Sequence, residues 1–570
     1  MSNSVWRPRG LPPPGPIDGD LPRALTTCIA HWSGGEQHMN ELRNAAACLA
    51  FAMAMIFTSP VHAADLAPPA VSVTAGLKQL NFYWNRVAGA TRYQLWFLPG
   101  TGGTWVKYAD VPVSRTSLTI NISAHVLHWE QSRYVVKACS ATACVNSARI
   151  AVSHLMKQTV GYFKPPTDVA RRGMGSVTDL SQDGETLAAA NERGGVEVFR
   201  KRPGGWLYEA RLLGDPLDPS YRGPTDSALA VSGDGNVIVM GQPGAVRADV
   251  DPENVPATGA VYVFRRNARG VWALETKLWI PSSIAEDRFG RRVDVDESGT
   301  LLAAWRRFDD TASSDRQQAF VELFKYVNGQ WTRLATADAS STGCFAIGLS
   351  GDGKTLVCSG TAWVTVFTAP GWQRVATLPN EFFTLPEFGP LPRFVAVSHD
   401  GGVFAVRSVT MDEDFAHSNA WANVYRRGAT GWAREASLGP GAWTGQGALE
   451  DPHQGYAKGL ALSRDGKFLA VGAPDDGALG TGVQYAPSGN PGFAGNGAVY
   501  VYERKPSGWR LRQFIKPNVE IVASFGWSLS FGRNYKDLAV GAPGDPSAAG
   551  GVGGDPTDTS QPGRGAVWLY

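Results

Sequence analysis

The chain has no excess of either charge: 53 Lys and Arg stand against 51 Asp and Glu in 570 residues. That balance excludes a basic nucleic-acid binder and an acidic disordered tail, and it names no strong electrostatic partner. Long hydrophobic runs are also lacking. The longest, residues 45–57, falls short of the roughly 20 residues that a spanning helix needs, so no transmembrane segment is expected. Cysteine is scarce, 6 in all, and the 9 His are scattered through unlike contexts. No Gly-x-Ser-x-Gly elbow, His-Glu-x-x-His helix, Walker loop or dinucleotide fingerprint occurs. The residues therefore name no catalytic group, and a non-enzymatic role is expected over an enzymatic one. What is abundant is Gly (66), Pro (37), Trp (19) and Tyr (16). With few helix-forming runs, that composition favours many short strands joined by tight turns, an all-β chain.

The apolar run at 45–57 is preceded by Met39-Asn40-Glu41-Leu42-Arg43 and followed by Ser59-Pro60-Val61-His62-Ala63-Ala64, a small-x-small cleavage pattern. Residues 39–64 read as a signal peptide cut near Ala63 or Ala64, which places the mature protein in the periplasm, at the cell surface or outside the cell. Residues 1–38 are Pro-rich and unpatterned, an extension that is non-native or disordered, with Met39 as the expected start. Cys28 and Cys48 fall in this discarded part. The four that remain, Cys139, Cys144, Cys344 and Cys358, are an even number in an exported chain and suggest pairing.

Residues 67–153 alternate with period two in short segments such as Leu80–Trp84, Arg92–Phe97 and Arg133–Cys139, the spacing of a β-sandwich. Trp84, Tyr93-x-Leu95-Trp96 and Tyr134-x-Val136 give this stretch a resemblance to a fibronectin type III domain. Trp84 and Tyr134 are expected in its core. Cys139 and Cys144 straddle a short turn that a disulfide would pin.

The remainder repeats itself. Leu180-Ser181-Gln182-Asp183-Gly184, Val231-Ser232-Gly233-Asp234-Gly235, Val295-Asp296-Glu297-Ser298-Gly299, Leu349-Ser350-Gly351-Asp352-Gly353, Val397-Ser398-His399-Asp400-Gly401 and Leu462-Ser463-Arg464-Asp465-Gly466 are hairpin turns between apolar strands. A looser seventh begins at Leu529-Ser530. Each leads to a Gly-Ala-Val-Tyr-like strand, and Trp206, Trp272, Trp331, Trp372, Trp432 and Trp509 open a fourth strand in six units. Four-stranded units recurring at this period predict a seven-bladed propeller, because one such unit cannot bury both faces alone. Phe289-Gly290, Phe525-Gly526, Val471-Gly472-Ala473-Pro474 and Val540-Gly541-Ala542-Pro543 resemble the FG-GAP repeats of integrin α-chain propellers and their secreted bacterial relatives. The resemblance covers residues 157–570. It implies an adhesion-type binding scaffold that sometimes carries calcium loops. Here those turns are mostly too short. Asp294, Asp296 and Ser298 come nearest, yet Leu302 stands where a closing Asp belongs, so no cofactor is expected and calcium is only a weak candidate. His399 fills a variable turn slot and reads as a solvated turn residue.

Antiparallel strands send alternate connections to opposite rims of such a ring. One rim has tight turns, whereas the other has long loops at 243–258, 306–318, 408–419, 474–496 and 543–564. Long loops on a rigid scaffold are where binding surfaces are built. The expected function is an exported, monomeric binding protein that engages a protein or glycan, with Asp475, Asp476, Tyr485, Asn490, Asp545, Asp555 and Asp558 as candidate contacts. The alternative is a secreted carbohydrate-active hydrolase or lyase, which would need two carboxylates converging at the channel. Residues 157–164, whose Phe163-Lys164-Pro165 matches Ile515-Lys516-Pro517, are expected to pair with residues 565–570 and close the ring. Cys344 and Cys358, centred on residue 351, are expected to face each other across a hairpin.

Overall fold

A computed structural model describes residues 66–100, 102–126, 131–166, 173–191, 195–214, 228–245, 258–281, 287–309, 317–380, 394–411, 418–440, 455–487, 495–520 and 522–570. The extension and signal peptide lie outside them, and no helix among them is long and apolar enough to cross a membrane. The chain is nearly all β.

Residues 71–151 form two facing sheets. Val71–Gly76, Gln79–Trp84 and Ser117–Asn121 make one, and Arg92–Leu98, Val106–Pro112, Arg133–Cys139 and Cys144–Asn146 make the other, with Ile150–Ala151 alongside. Leu80, Phe82, Trp84, Tyr93, Leu95, Ile120, Tyr134 and Val136 fill the space between them. The Tyr93 hydroxyl accepts the Val87 N–H at 2.8 Å, which satisfies its polar end inside the core. Cys139 lies opposite Cys144 and is bonded to it.

Beyond a short helix, Ser153–Thr159, the described residues form six four-stranded sheets and one five-stranded sheet, all antiparallel. The first strand of each packs on the first strand of the next. The last of these, Ser528–Gly532, packs back on the first, Val177–Leu180. This succession is consistent with a propeller-type β fold. The sheet containing Ala566–Leu569 takes its fourth strand from Gly161–Phe163, with Trp568 facing Tyr162. The strand expected over 157–164 is thus shorter, because residues up to Thr159 are helical.

Backbone contact between neighbouring sheets explains the repeated Phe-Gly phrase. Phe289 and Phe525 are fully buried, and each bridges a glycine of the preceding sheet, Gly259 and Gly497. At Gly290 φ is +86°, and a Cβ would lie 2.6 Å from the Ala260 carbonyl oxygen, so only glycine fits. Farther out, a Trp-x-x-Glu spacing ties sheets at their edges. Trp272 donates to Glu209 at 2.9 Å, Trp331 to Glu275 at 2.9 Å and Trp509 to Glu435 at 3.0 Å, each across a sheet boundary. Burial raises the pKa of Glu435, but bonds from Arg504 and Trp509 outweigh it and hold the carboxyl below its ordinary range.

The turns owe their sequence to one hydrogen-bonding scheme. The Ser hydroxyl accepts the N–H five residues on, at 2.9 Å for Ser181, Ser350 and Ser463 and 3.0 Å for Ser232 and Ser398, while donating to the Asp two residues on. Cys344 and Cys358 are bonded with Cα atoms 5.6 Å apart. They do not face each other directly as expected: the hairpin closes with Leu349 opposite Leu356, and a register shift leaves Cys344 opposite Gly360 and Cys358 opposite Ile347.

The two-sheet region docks on the last sheet of the ring. Lys78, 2% exposed, lies 3.2 Å from Asp537, which Arg533 also engages. His125, 1% exposed, bonds the Tyr535 carbonyl at 2.7 Å. Burial, reinforced by the nearby Lys78 charge, lowers the His125 pKa to about 3.

Candidate functional site

The loop following Ala473 returns along its own sheet, adding Gly482–Gln484 to the outer edge beside Gly508–Lys516. Asp476 faces inward. It accepts the Tyr500 hydroxyl at 2.7 Å and the Ala478 N–H at 2.9 Å, and Lys516 reaches its carbonyl at 3.0 Å and its carboxylate at 3.5 Å. The loop after Ala542 repeats the device. Asp545 is fully buried, 3.0 Å from Lys164, and accepts the Tyr162 hydroxyl at 2.8 Å and the Ser547 N–H at 3.0 Å. Lys164 also donates to the Ser547 carbonyl at 2.6 Å. Burial lowers the pKa of both lysines against the pull of their aspartates. Burial, seconded by the neighbouring carboxylate, raises those of Tyr162 and Tyr500.

This corrects the reading of Asp476 and Asp545 as ligand contacts: each is a buried pin at a loop base. Asp475 is half exposed, 3.8 Å from Lys458, and Tyr485 is 48% exposed. Asp555 is exposed in the second loop, whereas Asp558 is half-buried and accepts the Ala548 N–H at 3.2 Å. Asp555 caps Thr557 and Asp558 caps Ser560, and those bonds hold both carboxyls below their ordinary range. Asn490 lies outside the described residues. Of the loops expected at 306–318 and 408–419, the described residues are strand, being the ends of Leu301–Asp309 and Val403–Met411 and the starts of Gln317–Val327 and Ser418–Gly428; residues 310–316 and 412–417 lie outside the described residues. Lys164 and Lys516 were visible in sequence as the matching Phe-Lys-Pro and Ile-Lys-Pro, but nothing there showed what their ammonium groups reach.

The weak calcium candidates have structural roles. Asp296 takes the place of the turn serine, accepting the Leu301 N–H at 2.9 Å and the Ser298 hydroxyl. Asp294 accepts the Val295 N–H at 3.0 Å and, from the next sheet, the Leu349 N–H at 2.8 Å. Among the described residues no group of three His, Cys, Asp or Glu is placed to hold a metal.

The tight-turn rim holds a second cluster. The variable slot of the turns lines a cavity of about 110 Å3 at the centre of the ring, with Gln182, Gly233, Glu297, Gly351, His399 and Arg464 around it. Backbone bonds join these turns in succession, including Gly233 N–H to Glu297 at 2.9 Å, Glu297 to Gly351 at 3.0 Å and His399 to Arg464 at 3.0 Å. Glu297 lies 2.9 Å from His399 Nδ1, and Arg464 donates to Glu297 at 3.1 Å and to His399 Nε2 at 3.1 Å. A guanidinium only donates, so Nε2 accepts the Arg464 N–H, while Nδ1 stands beside Glu297 without a hydrogen bond of its own. His399 is therefore not a free solvated turn residue. Its partners come from turns 65 and 102 positions away in the chain (464 − 399 and 399 − 297), which no local pattern reveals.

No protein-family model matches the chain, and no curated protein matches it. Among solved structures, one titled "Structure of U3-55K" is similar at a TM-score of 0.43 and 11% identity, over 72% of this chain and 97% of that one. A likeness of that size assigns neither a family nor a function.

Proposed function

We propose that the chain is an exported, non-enzymatic binding protein: a seven-bladed β-propeller of the FG-GAP, integrin α-like kind, closed by the strand Gly161–Phe163, carrying a fibronectin type III-like sandwich as a docked module. In this reading the long-loop face engages a protein or glycan. The observation that carries it is the construction of the loop at 543–564, whose base is fixed by buried Asp545 and Lys164 while its tip presents the exposed Asp555, Thr557 and Thr559. A fastened base and an exposed polar tip make a preorganised surface, which lowers the ordering cost of capture. The two disulfides fit an oxidising compartment. Binding is favoured over glycoside hydrolysis because, of the cavity carboxylates, Asp179 and Asp294 each accept backbone N–H groups from two sheets, a stapling role, and Glu297 is paired with Arg464.

The test is a glycan array and a pull-down from envelope extracts with the exported chain, repeated with residues 554–560 replaced by Gly and Ser residues of the same number, which leaves Asp545, Ser547, Lys164 and the pairing of residues 551–553 with the closing strand in place. Capture should fall with an unchanged melting temperature. Undiminished capture by the loop-replaced chain would defeat the loop-face reading.

A further inference from the structure

One turn of the two-sheet region reaches three parts of the molecule at once. Lys78, between Val71–Gly76 and Gln79–Trp84, is 2% exposed and has φ +59°, a conformation that a lysine keeps only where its surroundings hold it. Its carbonyl accepts the Ile122 N–H at 3.0 Å within the two-sheet region, its own N–H donates to the Thr159 carbonyl at the helix end at 2.7 Å, and its ammonium lies 3.2 Å from Asp537 in the ring. Leu77 beside it packs on the cluster that holds Phe163 and Leu569. The chain from here to the closing strand has no slack, since Ile150–Ala151, the helix Ser153–Thr159 and Gly161–Phe163 are separated by Val152 and Val160 alone. Val152, Leu155, Met156 and Tyr162 share one apolar cluster with Tyr134 of the two-sheet region and Trp568 of the ring. Lifting the two-sheet region therefore pulls on the closing strand. That strand brings more than backbone: apart from the loop's own Ser547 N–H, the partners of the Asp545 carboxylate are Tyr162, within it, and Lys164, just after it. The Tyr162 carbonyl also accepts the Gly553 N–H at 2.8 Å, and the Lys164 N–H donates to the Gly551 carbonyl at 2.9 Å.

We propose that docking of the two-sheet region regulates the loop at 543–564 through the closing strand. With the region docked, the strand is seated, Tyr162 and Lys164 meet Asp545, and the loop base is fixed. With the region lifted, the base loses both partners together, because they sit on one short piece of chain. The role of the loop in capture rests on the loop-face reading; on that reading, a protein that engages the two-sheet region tunes capture at the loop. The sixth sheet supplies a contrast within the same molecule. Asp476 is pinned in the same way, but its partners Tyr500 and Lys516 lie on strands of its own sheet. Lys157 of the helix reaches Thr481 farther along that loop at 2.7 Å, yet touches neither pin partner.

The experiment is native-state hydrogen exchange on the exported chain in urea below its unfolding transition. It needs no ligand, so its failure is distinct from a failure of the loop to capture anything. The amides of Lys78 and Ile122 report the joint, those of Ser547, Gly553 and Gly565 the loop at 543–564, and those of Ala478 and Gly497 the control loop at 474–496. In wild type the joint and the 543–564 amides should open with one free energy and one urea dependence, separate from those of Ala478 and Gly497. Lys78→Met and, independently, His125→Ala lie outside both loops and the closing strand; each should speed exchange at Ser547 and Gly553 roughly tenfold or more and leave Ala478 and Gly497 unchanged. Different urea dependences for the joint and the 543–564 amides in wild type overturn the proposal. So does Ser547 exchanging at its wild-type rate in a variant whose amide at position 78 has accelerated. Equal acceleration of both loops overturns it too, since that is general loosening and not a link through the closing strand. The wild-type exchange decides the matter even where a variant fails to fold.

Discussion

Lowering the pH from 7 to 5 should weaken the joint between the two-sheet region and the ring through one residue, His125. Its imidazole is 1% exposed and bonds the Tyr535 carbonyl, so it is held neutral, with its pKa lowered from 6.5 to about 3 by burial and then by the Lys78 charge. In the unfolded chain it takes a proton near pH 6.5; in the folded chain it does not. The unfolded state therefore binds more protons between pH 6.5 and 3, and stability falls as pH falls through that window. At 1.36 kcal/mol per unit, the loss reaches about 2 kcal/mol by pH 5. The carboxylates with lowered pKa, Glu209, Glu435 and Asp537, lose their contribution only at lower pH, which leaves the interval from 6.5 to 5 to histidine. Urea midpoints at pH 7, 6 and 5 for wild type and His125→Gln measure it directly. The glutamine can keep a donor toward Tyr535 but does not titrate, so its midpoint should stay flat where wild type declines. An equal decline in both proteins would refute the argument.

The pinned loop gives a second expectation: Lys164→Met leaves the Asp545 carboxylate buried and unpaired and should cost about 3–5 kcal/mol, whereas adding Asp545→Asn should recover much of it, read as urea midpoints of the single and double variants. A double variant no more stable than the single would mean that the pair is not the source of the loss. Trp509→Phe removes the donor to Glu435 across a sheet boundary and should cost about 1 kcal/mol in thermal unfolding, while Trp509→Phe in a Glu435→Gln background should cost less. Replacing Cys344 and Cys358 by Ala and Ser opens a loop with a sequence separation of 14 and should lower stability by about 3 kcal/mol, read as urea midpoints under non-reducing conditions, where Cys139–Cys144 stays closed in both proteins.

Local chemistry was legible in the sequence by itself. Asp-Gly turns between apolar strands, repeated with a Trp at the fourth strand of six units, set the element type and the period, because turn geometry and strand alternation depend on residues a few positions apart. The buried core of the two-sheet region, with Trp84 and Tyr134, followed from period-two patterning for the same reason. Tertiary structure decided what any one side chain meets across a sheet boundary. Asp476 and Asp545 read as surface acids in Gly- and Ser-rich loops, and only the arrival of Lys516 and Lys164 from outer strands turns them into buried pins. Glu297, His399 and Arg464 sit in equivalent turns that each look solvated alone, and they become one cluster because the succession of sheets brings those turns around a common cavity. The register of Cys344 and Cys358 shows the same limit on a smaller scale, since a single shift within the strand pairing moves every partner, and neither composition nor spacing records where that shift falls.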